Sequence, residues 1–206
     1  MKIYDVPNFP NPARVRIALA EKNATEAVTF VPVDVMGGEH RKPEFMAKNP
    51  AAAVPILELE DGTCVAECSA ITEYIDQTFD GPSLTGSTAK ERAVIQMMQR
   101  RAEFMVLDAV GAYFHHATSG LGPELEQNQN EAWGLRQKEN ALNGMVYFNK
   151  VLAEKPFVAG NDFTAADIAL FAGLAFADFA NVEVPSECSH LNAWKDRVAS
   201  RPSIAA

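Results

Sequence analysis

The chain has 206 residues, 48% of them hydrophobic and 22% charged, a composition that belongs to a folded globular protein and not to a disordered one. Its 18 Lys/Arg and 27 Asp/Glu give a formal charge of −9, which repels phosphate backbones and anionic lipid and argues against nucleic-acid and membrane-surface partners. The charge is uneven: residues 1–50 hold seven Lys/Arg against six Asp/Glu, so an anionic small molecule meets its friendliest field in the first quarter of the chain. Met1-Lys2-Ile3-Tyr4-Asp5 reaches an acidic residue at once and lacks the apolar region of a signal peptide. The longest apolar run, Ile168 to Ala177, is about half the length of a bilayer-spanning helix. Cys64, Cys68 and Cys188 are too few and too irregular for a disulfide framework. A cytoplasmic protein that does not enter the membrane is expected.

In chain order, Ile3–Val6 is a short β-type run that stops at the breaker cluster Pro7-Asn8-Phe9-Pro10-Asn11-Pro12. A helix is predicted from about Pro12 to Glu21, with Val15, Ala18, Leu19 and Lys22 recurring at helical spacing, Asn11 as N-cap and Pro12 at the first position. Val28–Val35 reads as a second strand, demoted to a sheet edge by Pro32, which has no N–H for a ladder. An irregular, partly helical stretch follows. Ile56–Glu60 and Thr63–Ala66 flank Asp61-Gly62, a strong hairpin signal, and Ala70–Phe79 has the pattern of a helix. A strand, helix, strand order implies a parallel pair through a right-handed crossover. With the hairpin added, residues 1–80 are expected to form an α/β, thioredoxin-like domain with a mixed four-stranded sheet.

Residues 80–88 form a linker rich in turn formers. Beyond it strand signals vanish, and long helices fit 89–117, about 128–153, 164–180 and 189–199. Residues 89–206 are therefore expected to form an all-α C-terminal domain.

Several short segments carry chemistry. The breaker cluster sets a helix N-terminus after a parallel strand, where free N–H groups and the positive end of the helix dipole stabilise an anion, including a thiolate. Arg14 and Arg16 lie in the first turns; a plain strand-to-helix connection is the simpler reading of that cluster. Ala53-Val54-Pro55 precedes a strand, and a cis Val54–Pro55 bond would free the Val54 N–H and C=O to pair with an extended peptide ligand. At Glu67-Cys68-Ser69, Glu67 offers an acceptor for a ligand ammonium, and Cys68 or Ser69 with the helix N–H groups offers a place for a carboxylate; alternatively Ser69 is only an N-cap. Cys64 and Cys68 lack companion ligands, so no metal site is expected. Gly37 to Phe45 contains three consecutive potential cations, His40, Arg41 and Lys42, which otherwise make a solvated face. Thr164-Ala165-Ala166-Asp167 has the spacing of a capping box, a structural feature.

Taken in order, these segments resemble the cytosolic glutathione transferase family over essentially the whole chain. The resemblance rests on the Pro-rich turn before Arg14-Val15-Arg16-Ile17-Ala18-Leu19, on Gly38-Glu39-His40, on Asn49-Pro50 through Val54-Pro55, on Glu67-Cys68-Ser69-Ala70-Ile71 and on Phe163 to Asp167. The Pro-Ala-Arg-Val-Arg-Ile-Ala-Leu-Ala-Glu-Lys run and Tyr113 to Thr118 look closest to the yeast and bacterial branch. It implies glutathione as co-substrate, lying extended on the N-terminal half: its backbone pairs with Val54 beside Pro55, Glu67 and Cys68 hold the gamma-glutamyl end, and His40 and Arg41 face the glycine carboxylate. It also implies attack of the glutathione thiolate on a small electrophile held by the C-terminal helices, and a homodimer. Apolar surface for the dimer is offered by Met97-Met98 and Phe104-Met105, which core packing explains equally.

One departure stands out. Where many classes of the family carry a catalytic Ser or Cys, this chain has Phe9, and the loop contains no Tyr. Three groups remain as activators of the thiol: the Asn8 or Asn11 side chain, the N–H groups at the start of the first helix, and a water held from the C-terminal half, for which His115 is the candidate. A packed or interface histidine is the alternative for His115. Alternatives for the whole chain are a non-catalytic glutathione-binding or regulatory protein, and a glutathione-dependent isomerase, dehalogenase or peroxidase.

Overall fold

In the computed structural model, which describes residues 1–205, the chain opens on strand β1 (Lys2–Asp5), whose Ile3 and Asp5 point inward and Lys2 outward. β1 pairs in parallel with β2 (Thr29–Pro32), Ile3 opposite Phe30, across helix α1 (Pro10–Glu21). On its other side it pairs antiparallel with β3 (Ile56–Glu58), and β3 pairs antiparallel with β4 (Cys64–Val65). The order β2-β1-β3-β4 is the expected mixed four-stranded sheet, with Pro32 on the edge strand where its missing donor costs nothing. A short helix α2 (Pro43–Met46) follows a single turn at Glu39–Arg41, and α3 (Cys68–Thr78) packs against α1. Ile3, Val15, Leu19, Ile56, Leu57, Ile71 and Ile75 form the core of this unit, which spans Met1–Leu84.

Three boundaries differ from the sequence reading. Helix α1 starts two residues early: Phe9, not Asn11, holds the cap position, and Pro10 the first turn. Both Pro10 and Pro12 fit there because first-turn N–H groups have no helical acceptor, so neither proline breaks a bond. β2 is shorter than 28–35, because Pro32 ends it and only Val33 N–H adds one more bond, to Asp5 O at 2.9 Å. Helix α3 begins at Cys68, with Glu67 in the cap position, so Ser69 lies inside the helix and caps nothing.

Lys22, read from the sequence as an apolar-face residue with an amphipathic stem, is buried to its tip. Its Nζ lies 2.8 Å from Asp76 Oδ1, both side chains being 3% exposed, and it also donates to Pro82 O. The same Asp76 oxygen accepts from Leu84 N–H at 2.9 Å. The ends of α1 and α3 and the chain leaving the unit are thus joined at one buried ion pair.

The second compact unit, Thr85–Ala205, is all helical among the described residues. Helix α4 (Ala89–Ala102) opens with a capping box between Thr88 and Glu91 and runs through a π-helical turn at Glu103–Leu107 into α5 (Asp108–Ala117), so the predicted 89–117 helix is one path with a wider turn inside it. Helices α6 (Glu131–Glu154), α7 (Ala165–Phe179), α8 (Ser189–Ala199) and α9 (Pro202–Ala205) follow. The π turn needs close neighbours: a Cβ on Gly144 of α6 would lie 2.4 Å from Met105 O, and one on Gly173 of α7 3.1 Å from Leu107 N. No helix among the described residues is long and apolar enough to cross a membrane.

The capping box at the start of α7 is present and fully buried. Asp167 accepts from Thr164 N–H and Oγ1, Val158 N–H and the Trp194 indole. Burial pushes its carboxyl up to about 6 against the opposing pull of those four donors. One side chain therefore gathers the 156–164 loop, α7 and α8.

Of the two buried ionic groups, Lys22–Asp76 has the simpler mutational consequence. Asp76→Ala leaves an ammonium buried without its carboxylate, and the expected loss is about 3–5 kcal/mol in urea unfolding; a loss under about 1 kcal/mol would mean that water replaces the carboxylate at that site.

Candidate functional site

The first turn of α1 is nearly stripped of hydrogen-bond donors. Pro10 and Pro12 have no N–H, Phe9 N–H donates to Val6 O at 3.2 Å, and Ala13 N–H donates to Phe9 O at 3.0 Å. Among the described residues that leaves the Asn11 N–H as the one donor at this helix end that no protein acceptor takes. The Asn11 side-chain Oδ1 accepts from Arg14 at 3.1 Å, which leaves its Nδ2 as a donor. Asn8 is exposed and sits at φ 67°, a conformation Asn tolerates better than most residues. Phe9 contributes no side-chain hydrogen bond.

The N-terminus of α3 lies beside that of α1, because the Cys68 thiol donates to Asn11 O with Sγ at 3.4 Å. Two positive helix ends therefore converge at Asn11 and Cys68. Glu67, exposed, holds φ 69° and ψ 120°, a conformation that costs a non-glycine residue about 1–3 kcal/mol and persists where surrounding structure enforces it. The Val54–Pro55 bond is cis, and neither the Val54 N–H nor its C=O has a protein partner among the described residues.

Of the three cations expected in the 37–45 loop, one is not a cation. His40 is only 8% exposed, and burial, then the Arg41 guanidinium, lowers its pKa from 6.5, so it is neutral at pH 7. Its Nδ1 is buried without a partner, which leaves Nε2 as the ring nitrogen able to donate to a ligand. Arg41 is exposed on the same turn. Arg16 does not add to the field at the start of α1, because its Nε donates to Asp5 Oδ2 at 2.7 Å and its guanidinium lies 3.9 Å over the Phe30 ring. Tyr4 has its hydroxyl on Glu58 at 2.8 Å.

His115 lies in the second unit, on α5, with Nδ1 2.6 Å from Glu126 Oε1. Beside it the Phe114 ring meets His115 edge-on at 5.1 Å and packs on Phe176 and Phe179 with centroids 5.3 and 5.7 Å away. Phe179 is 70% exposed, an unusual degree for a ring in an aromatic cluster. The sequence reading overlooked Glu126. The signal was available: Gly120-Leu121-Gly122-Pro123 turns the chain back just after His115, and Glu124 and Glu126 are the acidic residues that follow.

Comparison with known proteins agrees with this geometry. Residues 1–77 match the family model of the glutathione S-transferase N-terminal domain, and residues 114–206 that of the C-terminal domain. Glutathione S-transferase 2 of Saccharomyces cerevisiae is 57% identical over 204 residues, covering 99% of this chain and 88% of that protein. The crystal structure of Gtt2 from the same yeast superposes with a TM-score of 0.97 at 57% identity, covering 100% of this chain and 99% of that one. A glutathione S-transferase domain-containing protein of Marinobacter aquaeolei VT8 gives 0.98 at 65% identity, covering 99% and 100%. The chain belongs to the glutathione transferase family, and its similarity to the yeast protein agrees with the branch that its Pro-Ala-Arg-Val-Arg and Tyr113 to Thr118 runs resemble.

His40 carries a pH signature of its own. Its folded pKa lies below 6.5, so the stability of keeping it neutral is fully present above pH 6.5 and is lost as pH falls through the lowered value. On acidification from about pH 7 to about pH 5, the Tm of the wild type should fall further than that of His40→Gln; equal falls would mean that His40 takes its proton without penalty.

Proposed function

We propose that this transferase joins the thiolate of glutathione to small electrophiles, with the first unit holding glutathione and the second the electrophile. The observation that carries the reading is the Cys68–Asn11 contact, which sets two helix N-termini side by side. Val54, with both backbone groups free beside a cis proline, pairs with the extended tripeptide as a strand would. Glu67 takes the gamma-glutamyl ammonium, and Cys68 with the first N–H groups of α3 takes its carboxylate. His40, through Nε2, and Arg41 take the glycine carboxylate.

Activation of the thiol divides into two tasks. Lowering a thiol pKa by about two units requires about 3 kcal/mol of preference for the thiolate. One N–H bond to a charged acceptor contributes about 1.5–3 kcal/mol and a helix end about 0.3–2 kcal/mol, so the Asn11 N–H and the end of α1 suffice for stabilisation. Asn11 offers this donor from its backbone and a second from its side-chain Nδ2, since Arg14 engages only Oδ1. Neither group can accept a proton. That task falls to His115 through a water: Nδ1 is held by Glu126, and Nε2 has no partner among the described residues. The thiolate then displaces the leaving group of the electrophile, forming a thioether. Phe176 and Phe179, packed on the buried Phe114, offer flat apolar surface to an aromatic electrophile.

The protein is read as a cytoplasmic homodimer, in keeping with three cysteines that form no disulfide and with Met97 and Phe104, 44% and 67% exposed and two turns apart on the path leading into α5. Light scattering that finds a monomer at micromolar concentration would overturn the dimer.

Steady-state conjugation of an aryl halide tests the mechanism. Asn11→Pro deletes one N–H at a position where a helix tolerates proline, while Asn11→Ala removes only the side chain. Asn11→Pro should lose about 10- to 100-fold in kcat relative to Asn11→Ala, and His115→Ala should lose about as much relative to wild type, with KM for glutathione within a few-fold. Equal rates for the two Asn11 variants would remove the α1 donor from the mechanism, and full activity of His115→Ala would remove His115.

A further inference from the structure

Glu126 is the feature of the second unit that the reading above leaves unexplained. Its side chain is 11% exposed, against 44% for His115, so a carboxylate is buried against the side of an imidazole that remains open to solvent. An ionised carboxylate only accepts, so the 2.6 Å contact places a proton on His115 Nδ1. In the neutral ring that leaves the Nε2 lone pair free, which is the tautomer a proton acceptor needs.

The segment between α5 and α6 is built around this contact. Leu121 N–H donates to the same Glu126 Oε1 at 2.9 Å. Gly120, at φ +52°, makes room: a Cβ there would lie 2.3 Å from that oxygen. Gln129 Nε2 donates to His115 O at 2.9 Å and to Thr118 O at 2.6 Å, Asn130 N–H donates to His116 Nδ1 at 3.1 Å, and Thr118 Oγ1 donates to Phe114 O at 2.6 Å. The last turn of α5 is therefore tied to the returning chain on both sides of His115, and Phe114 meets the imidazole edge-on.

We propose that Glu126 is the positioning residue of His115, fixing the ring with its proton on Nδ1 and balancing the charge that forms when Nε2 accepts the proton of glutathione. This rests on the reading of His115 as proton acceptor. In the step, a water takes the proton of the S–H group as its own proton passes to Nε2. The S–H bond breaks, an N–H bond forms, the water is regenerated, and thiolate and imidazolium replace thiol and neutral imidazole. Glu126 remains ionised throughout and faces the new positive charge.

The test combines kinetics with histidine 15N NMR on full-length Glu126→Ala, Glu126→Gln, His115→Ala and the Glu126→Ala/His115→Ala double variant. Glu126→Ala should lower kcat about 10- to 100-fold with KM for glutathione within about 2-fold. Glu126→Gln can still accept from Nδ1–H without the charge and should recover part of that loss. In the His115→Ala background the Glu126 substitution should have no further effect. The NMR spectrum should show Nδ1 of His115 protonated in the wild type and in Glu126→Gln, and a mixture of tautomers in Glu126→Ala. Unchanged kcat in Glu126→Ala, or an undiminished loss in the His115→Ala background, would overturn the positioning role, as would an unchanged tautomer. Full activity of His115→Ala would instead overturn the catalytic reading of His115, while the tautomer result would still decide the pairing.

Discussion

The first turn of α1 constrains everything that follows from it. Two prolines in three residues allow the helix to begin at Pro10, and by the same chemistry they delete all but one of the donors that a helix N-terminus ordinarily offers to an anion. Phe9, in the cap position, offers neither hydroxyl nor thiol. What remains, the backbone and side-chain N–H groups of Asn11 and the positive end of α1, can lower the energy of a thiolate and cannot take its proton. On the proposed mechanism the proton goes to a base elsewhere in the sequence. The His115–Glu126 pair has the composition of one, with one nitrogen held and the other free.

The two units are each closed by a buried carboxylate with several partners. Asp76 anchors the Lys22 ammonium and the Leu84 backbone, holding the ends of α1 and α3 and the chain that leaves them. That pair ties the C-terminal ends of α1 and α3 together, and the Cys68–Asn11 contact joins their N-termini. Asp167 does the corresponding work in the second unit, gathering the Val158 and Thr164 backbones and the Trp194 ring. Both carboxylates are fully partnered, so each is costly to remove and fixes one arrangement of its neighbours.

How much of this the sequence made legible depended on the range of the interaction. Local chemistry is readable: Asp61-Gly62 as a hairpin turn, Pro32 as an edge marker, Thr164 and Asp167 as a cap; Val54-Pro55 alone leaves the isomer open, and the structure has it cis. The start of α1 was misplaced by two residues, because Asn11 is a good cap in isolation, and the choice of Phe9 follows from Pro10 fitting the first helical position equally well. His40 is only a potential cation in the sequence; burial, which no local pattern reveals, makes it neutral. Lys22 was placed on the apolar face correctly, while its carboxylate, 54 positions on, was not seen. Glu126 escaped for a related reason, since its meaning depends on a turn that returns the chain to His115.

The proposed mechanism turns on the ionisation of the bound thiol. The direct measurement is an ultraviolet difference titration of the glutathione complex, following thiolate absorbance against pH for the wild type and for Asn11→Pro. The thiol should ionise at lower pH on the wild-type protein than in free glutathione, with most of that shift lost in Asn11→Pro. A bound thiol that titrates as it does in free solution, or a shift that survives intact in Asn11→Pro, would contradict that mechanism.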